Sequence, residues 1–327
     1  MYNASVVITT HNHIEITMEC LKSLYETTEN KFDLIVVDDN STDGTVRRIK
    51  EKYPSADIIV NTDVQSLSRE WNDGIKRAWE NGSDYACVIN NDMIFPDKGW
   101  LDKLIYTHKT SDYQPTAVVS PCSYQWRNFS EKELVKEYIG YYGYTQTFFP
   151  PEKTMIFPDN DNFSKVEFDT YLYTGFIVAP RFFTRQIYPT LSMYGGCFVI
   201  TPEATKKIGY FDEEIAFSHD EKDYAFRIWE NDMVSVADST VRVIHRGGTV
   251  SKAGLYDLLI NKTKELNRPI VRPEWVFINK HLPQKVERMF KFQLEPYLKQ
   301  KGIIFHPFSY LPLEIPGDVR NEEPIPS

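Results

Sequence analysis

Short runs of consecutive apolar residues punctuate the first hundred positions, separated by stretches of helical spacing. Ser5–Thr9, Leu34–Val37, Ile58–Val60 and Tyr85–Ile89 are β-rich and almost unbroken in apolar character. A strand with one wet face alternates, whereas a continuous apolar run suits a parallel sheet covered on both faces. Between these runs Ile14, Thr17, Met18, Leu21 and Tyr25 recur at helical spacing, as do Trp71, Ile75, Ala78 and Trp79. Each set predicts a helix with one buried stripe. Ser41 stands ahead of Asp43 and Val46 as the expected N-cap of another helix ending near Lys52. Strand and helix in alternation predict an open α/β sheet, doubly wound through right-handed crossovers. Ligands of such sheets gather at the carboxyl ends of strands. That rule directs attention to Thr9–Asn12, Asp38–Thr42 and Asn90–Asp92.

The pattern breaks down between about Ser123 and Tyr188, a stretch dense in Tyr, Phe and Pro. Long irregular segments in a compact domain usually carry function. Trp126, Tyr141, Tyr142 and Tyr144 could line a ligand groove or lid with their ring faces, or equally form a subdomain core or an oligomer contact. Regular structure is expected again at Tyr194–Thr201, in a short helix opened by Pro202, and in a helix over Asp220–Asn231. Two strands, Val234–Ala237 and Val241–Ile244, are expected after it. Beyond Lys252 come a mixed helical region and a Pro-rich tail. Within that region Val286–Tyr297 reads as a packing or dimerising helix.

Composition narrows the function classes. Among 327 residues the formal net charge is −9, which argues against a broad nucleic-acid surface. The four cysteines, Cys20, Cys87, Cys122 and Cys197, form no CxxC pair, so buried free thiols are expected rather than a zinc or redox site. The first residues enter an apolar strand directly, without a charged leader or a long apolar segment. The expectation is a soluble cytoplasmic protein, at most peripheral to a membrane.

Four polar clusters could carry chemistry, and each has a plain structural alternative. Asp38-Asp39-Asn40-Ser41-Thr42-Asp43-Gly44-Thr45 could accept hydrogen bonds from a base or ribose, or be an ordinary turn. Asn90-Asn91-Asp92 could hold a hard cation whose other ligands come from substrate phosphates, or be a polar turn. Asp220-Glu221-Lys222-Asp223 opens a helix, where acids either complement the dipole or supply a general base. His245-Arg246-Gly247-Gly248-Thr249 follows a strand, and its glycines would let backbone approach a diphosphate. A dehydrogenase is excluded by the missing GxGxxG. A nucleotidyltransferase is set aside because Thr9-Thr10-His11-Asn12 contains no glycine.

Taken in order, these clusters resemble the family-2 glycosyltransferases of the GT-A fold, in particular the rhamnosyltransferase-like branch. The resemblance rests on Val6–Asn12, Val36–Thr45, Asn72-Asp73-Gly74-Ile75, Asn90-Asn91-Asp92, Gly195-Gly196-Cys197-Phe198, Gly209–Glu213, the acidic helix start and His245. It covers roughly residues 3–110 and 190–252. It implies a GT-A, Rossmann-like mixed sheet flanked by helices, with an aromatic-rich insertion and a C-terminal extension. The implied organisation is a domain over 1–252, with a nucleotide-binding half (1–110), an insertion (123–190) and an acceptor half (191–252), followed by the extension 253–327. The implied activity is inverting transfer of a sugar from a UDP-, GDP- or dTDP-linked donor to a glycan or glycoconjugate acceptor, assisted by Mn²⁺ or Mg²⁺. A catalytically silent sugar-nucleotide-binding module is the alternative.

The resemblance also implies roles. Thr9, Thr10, Asn12, Asp38, Asp39, Asn72, Asn90, Asn91, Gly195 and Gly196 would form the nucleotide-sugar site, with Asp39 reading the base edge. Asp92 would bind the metal, and His245 would touch the metal or the leaving phosphate. Among Asp220, Glu221 and Asp223, Glu221 is favoured as the base because it aligns with the family position when counted from Arg227. Two departures stand out: Asp220-Glu221 replaces the usual Glu-Asp, and Asn90 replaces the first acid of a full DxD. The C-terminal extension is a candidate homodimer contact.

Overall fold

The computed structural model describes residues 2–126, 134–139, 187–190, 193–215, 220–246, 280–281, 297 and 300. Four parallel strands begin the fold: β1 (Ala4–Thr10), β2 (Asp33–Asp38), β3 (Asp57–Val60) and β4 (Tyr85–Asn90). Helices α1 (Ile14–Thr27), α2 (Thr45–Lys52) and α3 (Leu67–Glu80) link them. Then come β5 (Met93–Ile94), α4 (Trp100–Thr110), β6 (Thr116–Trp126), β7 (Leu134–Ile139), β8 (Ile187–Thr190) and β9 (Cys197–Ile200). Helices α5 (Pro202–Ile208) and α6 (Asp220–Glu230) precede β10 (Val234–His245).

Among the described residues all ten strands join one sheet, in the order β3-β2-β1-β4-β9-β6-β10-β5, with β7 beside β6 and β8 beside β10. Strand β9 runs antiparallel to both β4 and β6, so the sheet is mixed, as expected. Its faces are covered as the unbroken apolar runs require. Val6, Ile8, Leu34 and Val36 face a core built with Leu21 and Leu24 of α1 and Trp100 and Leu104 of α4. Val7, Ile35 and Val37 face the opposite core, with Trp71 and Ile75 of α3 and Ala204 of α5. Successive strand residues point to opposite faces, so one run feeds two cores. Gly74 lets α3 close on β1, because a Cβ there would meet Val7 Cγ1 at 2.1 Å.

Three expectations are corrected. Ser41 does not cap α2. Gly44 occupies that position at φ 87°, a left-handed conformation that suits glycine. The Ser41 N–H instead donates to Asp38 Oδ1 at 3.0 Å, and its hydroxyl oxygen accepts from the Asn12 N–H. The two strands expected over 234–244 are one, since Asp238 absorbs the polar interruption. Its Oδ1 accepts from the N–H and hydroxyl of Thr240, its Oδ2 accepts from Thr107, and the register slips between Asp238 and Arg242. The strand expected from Tyr194 begins only at Cys197.

Cys20, Cys87 and Cys197 are buried free thiols, as expected. Tyr141, Tyr142, Tyr144 and the side chains of Cys122 and Trp126 lie outside the described residues, as does nearly all of 286–297. Among the described residues no helix is long and apolar enough to cross a membrane.

Candidate active site

The carboxyl ends of β1, β2 and β4 lie side by side, because Thr10 is in register with Asp38 and Thr9 with Asn90. Asn12, at φ 53°, turns the chain out of β1 and pins the neighbouring loop. Its Oδ1 accepts from the Thr42 N–H at 2.8 Å. The carboxylate of Asp39 is fully buried. Its Oδ1 accepts from the Gln65 N–H at 2.8 Å and from Asn61 Nδ2 at 3.2 Å, while its Oδ2 has no donor. Asp38 repeats the arrangement, with Oδ1 taken by the Ser41 N–H and Oδ2 unmatched. Burial raises both carboxyls above their ordinary range, partly opposed by those donors. Asn90 adds a third buried acceptor without a donor, its Oδ1. Buried polar atoms are nearly always satisfied, so three unmatched acceptors at adjoining strand ends suit a ligand rich in N–H or O–H groups.

A third acid joins them that the motifs did not single out. Glu70, in the first turn of α3, is 7% exposed and makes no side-chain hydrogen bond or ion pair among the described residues. Burial, reinforced by the charges of Asp39, Asp38 and Asp73, pushes its carboxyl well above the usual range. The signal was present in the spacing. Leu67, Glu70, Trp71, Gly74, Ile75 and Ala78 form one helical stripe, so an acid sits where the core expects an apolar side chain.

An acid whose folded pKa is raised costs stability once pH exceeds its unfolded pKa, and the cost grows until the folded pKa is passed. Glu70→Gln is therefore expected to stabilise the fold by roughly 1–3 kcal/mol at pH 8. Near pH 4, where both states are protonated, the two proteins should have matching denaturant midpoints. Equal midpoints at pH 8 would contradict the burial of an unmatched acid.

The second centre is built by strand pairing. Asp92 directly precedes β5, and β5 pairs antiparallel with the end of β10, setting His245 opposite Met93. Asp92 Oδ2 and His245 Nε2 lie 3.1 Å apart, both partly exposed. Two ligands at right angles on an octahedral cation with bonds of about 2.1 Å sit roughly 3 Å apart. The pair therefore fits two adjacent positions on one hard cation. Among the described residues no group of three or more metal-ligating side chains occurs, so a substrate would have to supply most remaining oxygens. The Arg246 N–H donates to the Asp92 carbonyl at 2.9 Å, and its guanidinium pairs with Glu19.

The acidic helix reaches the same cleft. The Asn90 N–H donates to the Gly196 carbonyl at 3.1 Å, which draws Gly195-Gly196 to the end of β4. A Cβ on Gly195 would lie 3.0 Å from the Trp71 ring and 3.5 Å from Glu221 Cβ, so Glu221 packs beside that backbone. Asp220 Oδ1 accepts from the Glu221 N–H at 3.0 Å. Asp223 turns away and is wholly buried. Its Oδ2 accepts from Arg227 Nε at 2.8 Å, and its Oδ1 accepts from His281 Nε2 at 2.7 Å and Lys280 Nζ at 2.8 Å. Burial works to raise its pKa, but the His281 hydrogen bond and the charges of Arg227 and Lys280 prevail and hold it at about 2.

Two further residues implied by the resemblance have their amides engaged elsewhere. Asn72 is bonded through both amide ends to the backbone of Phe211, at 2.9 Å each, and through Nδ2 to Glu213. Asn91 donates to Thr10 Oγ1 and Thr17 Oγ1, toward α1.

The portion of the chain that builds the first three strand ends and Asp92 carries a recognisable signature. Residues 5–165 match the model for glycosyl transferase family 2. The matched segment, just under half of the chain, contains Thr9, Asp39 and Asp92, whereas Glu221 and His245 lie beyond it. No curated protein matches the chain. The fold resembles that of GalNAc-T7, solved with UDP, GalNAc and Mn²⁺, at a TM-score of 0.55 and 12% identity over 93% of this chain. The chain spans 58% of that protein. A mannosyltransferase from Pyrobaculum calidifontis, PcManGT, solved with GDP-Man and Mn²⁺, gives a TM-score of 0.49 at 15% identity, covering 92% of this chain and 79% of its own. At such identities the likeness is one of fold, and that fold is the GT-A glycosyltransferase architecture.

Proposed function

We propose that this protein is an inverting glycosyltransferase that moves a sugar from a nucleotide diphosphate to a hydroxyl of a glycan or glycoconjugate. The observation that carries this reading is the alignment of two features along one row of strand ends. Unmatched buried acceptors at Asp38, Asp39 and Asn90 stand on one side, and the Asp92–His245 pair stands on the other. The first suits the donor groups of a base and ribose. The second suits a cation shared with a diphosphate.

In this reading Asp39 Oδ2 accepts a hydrogen bond from the base, with Oδ1 braced by Gln65 and Asn61. Thr9, Thr10, Asn12, Gly195 and Gly196 shape the donor pocket, and Asn72 and Asn91 hold its walls. Asp92 and His245 would hold Mn²⁺ or Mg²⁺, which when bound neutralises charge on the departing diphosphate. Glu221 takes the proton of the acceptor hydroxyl as that oxygen bonds to the anomeric carbon and the carbon–diphosphate bond breaks. Asp223 is a poor choice for the base, since both oxygens are occupied and its pKa is about 2. The rhamnosyltransferase-like branch is supported by Asn90-Asn91-Asp92 alone.

A thermal-shift panel of UDP-, GDP-, dTDP- and CDP-sugars with Mn²⁺ tests the reading. A ligand held only by the native state at a hundred times its Kd adds about 2.7 kcal/mol of apparent stability. One nucleotide class should raise the midpoint in wild type and fail to do so in Asp39→Ala. No shift with any of them overturns the proposal.

A further inference from the structure

The candidate base helix is anchored from outside the matched regions. Arg227 donates from Nη1 to the Ile208 carbonyl at 3.2 Å and from Nη2 to the Tyr210 carbonyl at 2.9 Å. Tyr224 donates its hydroxyl to the Gly209 carbonyl at 3.0 Å. These bonds fasten α6 to the end of α5. Further contacts come from residues 280–281, more than fifty positions beyond Asp223 along the chain. Lys280 Nζ bridges Asp223 Oδ1 at 2.8 Å and Asp212 Oδ2 at 2.7 Å. The His281 side chain, 1% exposed, contacts Asp223 through Nε2, approaches Glu230 Oε1 at 3.8 Å through Nδ1, and meets the Phe226 ring edge-on at 5.2 Å.

We propose that Lys280 and His281 are positioning residues for the reaction, acting through Asp223 to set the reach of Glu221. The inference rests on Glu221 being the base. Asp223 and Glu221 share the first turn of α6 and point to different sides of it. The Asp223 side is clamped by Lys280 and His281, while the Glu221 side packs beside Gly195. A buried carboxylate with three donors fixes the helix rotation about its axis. Rotation by a few degrees, or a slide along the axis, would move the Glu221 carboxyl relative to the acceptor oxygen. Errors of about 1 Å in such a group cost about a hundredfold in rate. Lys280 and His281, which the sequence places in a separate extension, therefore brace the helix that carries Glu221. Among the described residues the clamp makes no contact with Asp38, Asp39 or Asn90 at the ends of β2 and β4.

The test compares His281→Ala, His281→Gln, Lys280→Met and Glu221→Gln in the full chain. The probes are UDP-glucose, UDP-N-acetylgalactosamine, GDP-mannose and dTDP-rhamnose with Mn²⁺. Release of nucleotide diphosphate gives kcat, and titration with the free nucleotide diphosphates gives donor-side affinity. His281→Ala and Lys280→Met should each lower kcat by about tenfold or more, with nucleotide affinity unchanged within about twofold. His281→Gln, which keeps a donor near the Nε2 position, should recover most of the rate.

Measurements are made well below each variant's melting midpoint, so that loss of folded protein, which would reduce binding capacity and rate together, is excluded. If Glu221→Gln is inactive while His281→Ala and Lys280→Met keep the wild-type rate, the positioning role is wrong and the base assignment stands. If Glu221→Gln retains the wild-type rate, the base assignment falls and the positioning role with it. Equal losses of rate and nucleotide affinity would mark a general structural role and overturn the proposal.

Discussion

Asp92→Ala should abolish metal-stimulated release of nucleotide diphosphate from the donor, lowering kcat by about three orders of magnitude. Asp92 is the carboxylate of the pair that suits a hard cation, and His245 by itself is a weak ligand for Mg²⁺ or Mn²⁺. Nucleotide affinity measured without metal should change little, because Asp39 and the β1–β2 loops are untouched. The two measurements separate the readings of the site. Metal-dependent turnover in wild type that vanishes in the variant supports catalysis. Nucleotide binding without turnover in wild type instead supports a silent binding module. Unchanged metal stimulation in Asp92→Ala would move the cation elsewhere.

Asp223→Ala should be the most destabilising single change in the acidic helix, at about 3–5 kcal/mol. The deletion strands His281, whose side chain is 1% exposed, and leaves Arg227 and Lys280 without their shared carboxylate. The sign of the pH dependence follows from the same contacts. The folded pKa of about 2 lies below the ordinary Asp value, so the stabilisation is present in full above about pH 5. It fades as pH falls through the ordinary value toward 2. Urea unfolding of wild type and variant between pH 3 and 7 should therefore show a gap that narrows with acid. A gap that stays constant would mean that packing, rather than the carboxylate charge, is what the variant loses.

The parts of this molecule legible in the sequence are those where one local rule decides. Val6–Ile8 and Leu34–Val37 are apolar without interruption, and only a sheet covered on both faces accommodates that. Their polar ends then had to lie together, since parallel strands in a doubly wound sheet share a carboxyl edge. Residues decided by distant partners were not legible. A two-residue strand such as β5 has no periodicity of its own and exists because β10 offers it an edge. The cap of α2 went to Gly44 because Ser41 was already used by Asp38 and Asn12, a contact between loops. Glu70 was visible as a misplaced acid on an apolar stripe, but not its neighbours. Lys280 and His281 carry no motif, and only folding brings them to Asp223. Asn72 and Asn91 illustrate the opposite case, in which polar residues prominent in the sequence are engaged by Phe211, Thr10 and Thr17.

The short ladder between β5 and β10 bears on when this protein becomes functional. Asp92 and His245 are separated by 153 positions, and nothing local holds either in place for the other. Closing so long a loop costs entropy that must be met by contacts made elsewhere first. The residues from β1 to β4, which include Asp38, Asp39 and Asn90, all leave the ribosome long before β10 is made. The cation pair closes only when the last strand docks. On the proposed reading, assembly order would separate the making of the nucleotide site from the making of the cation site.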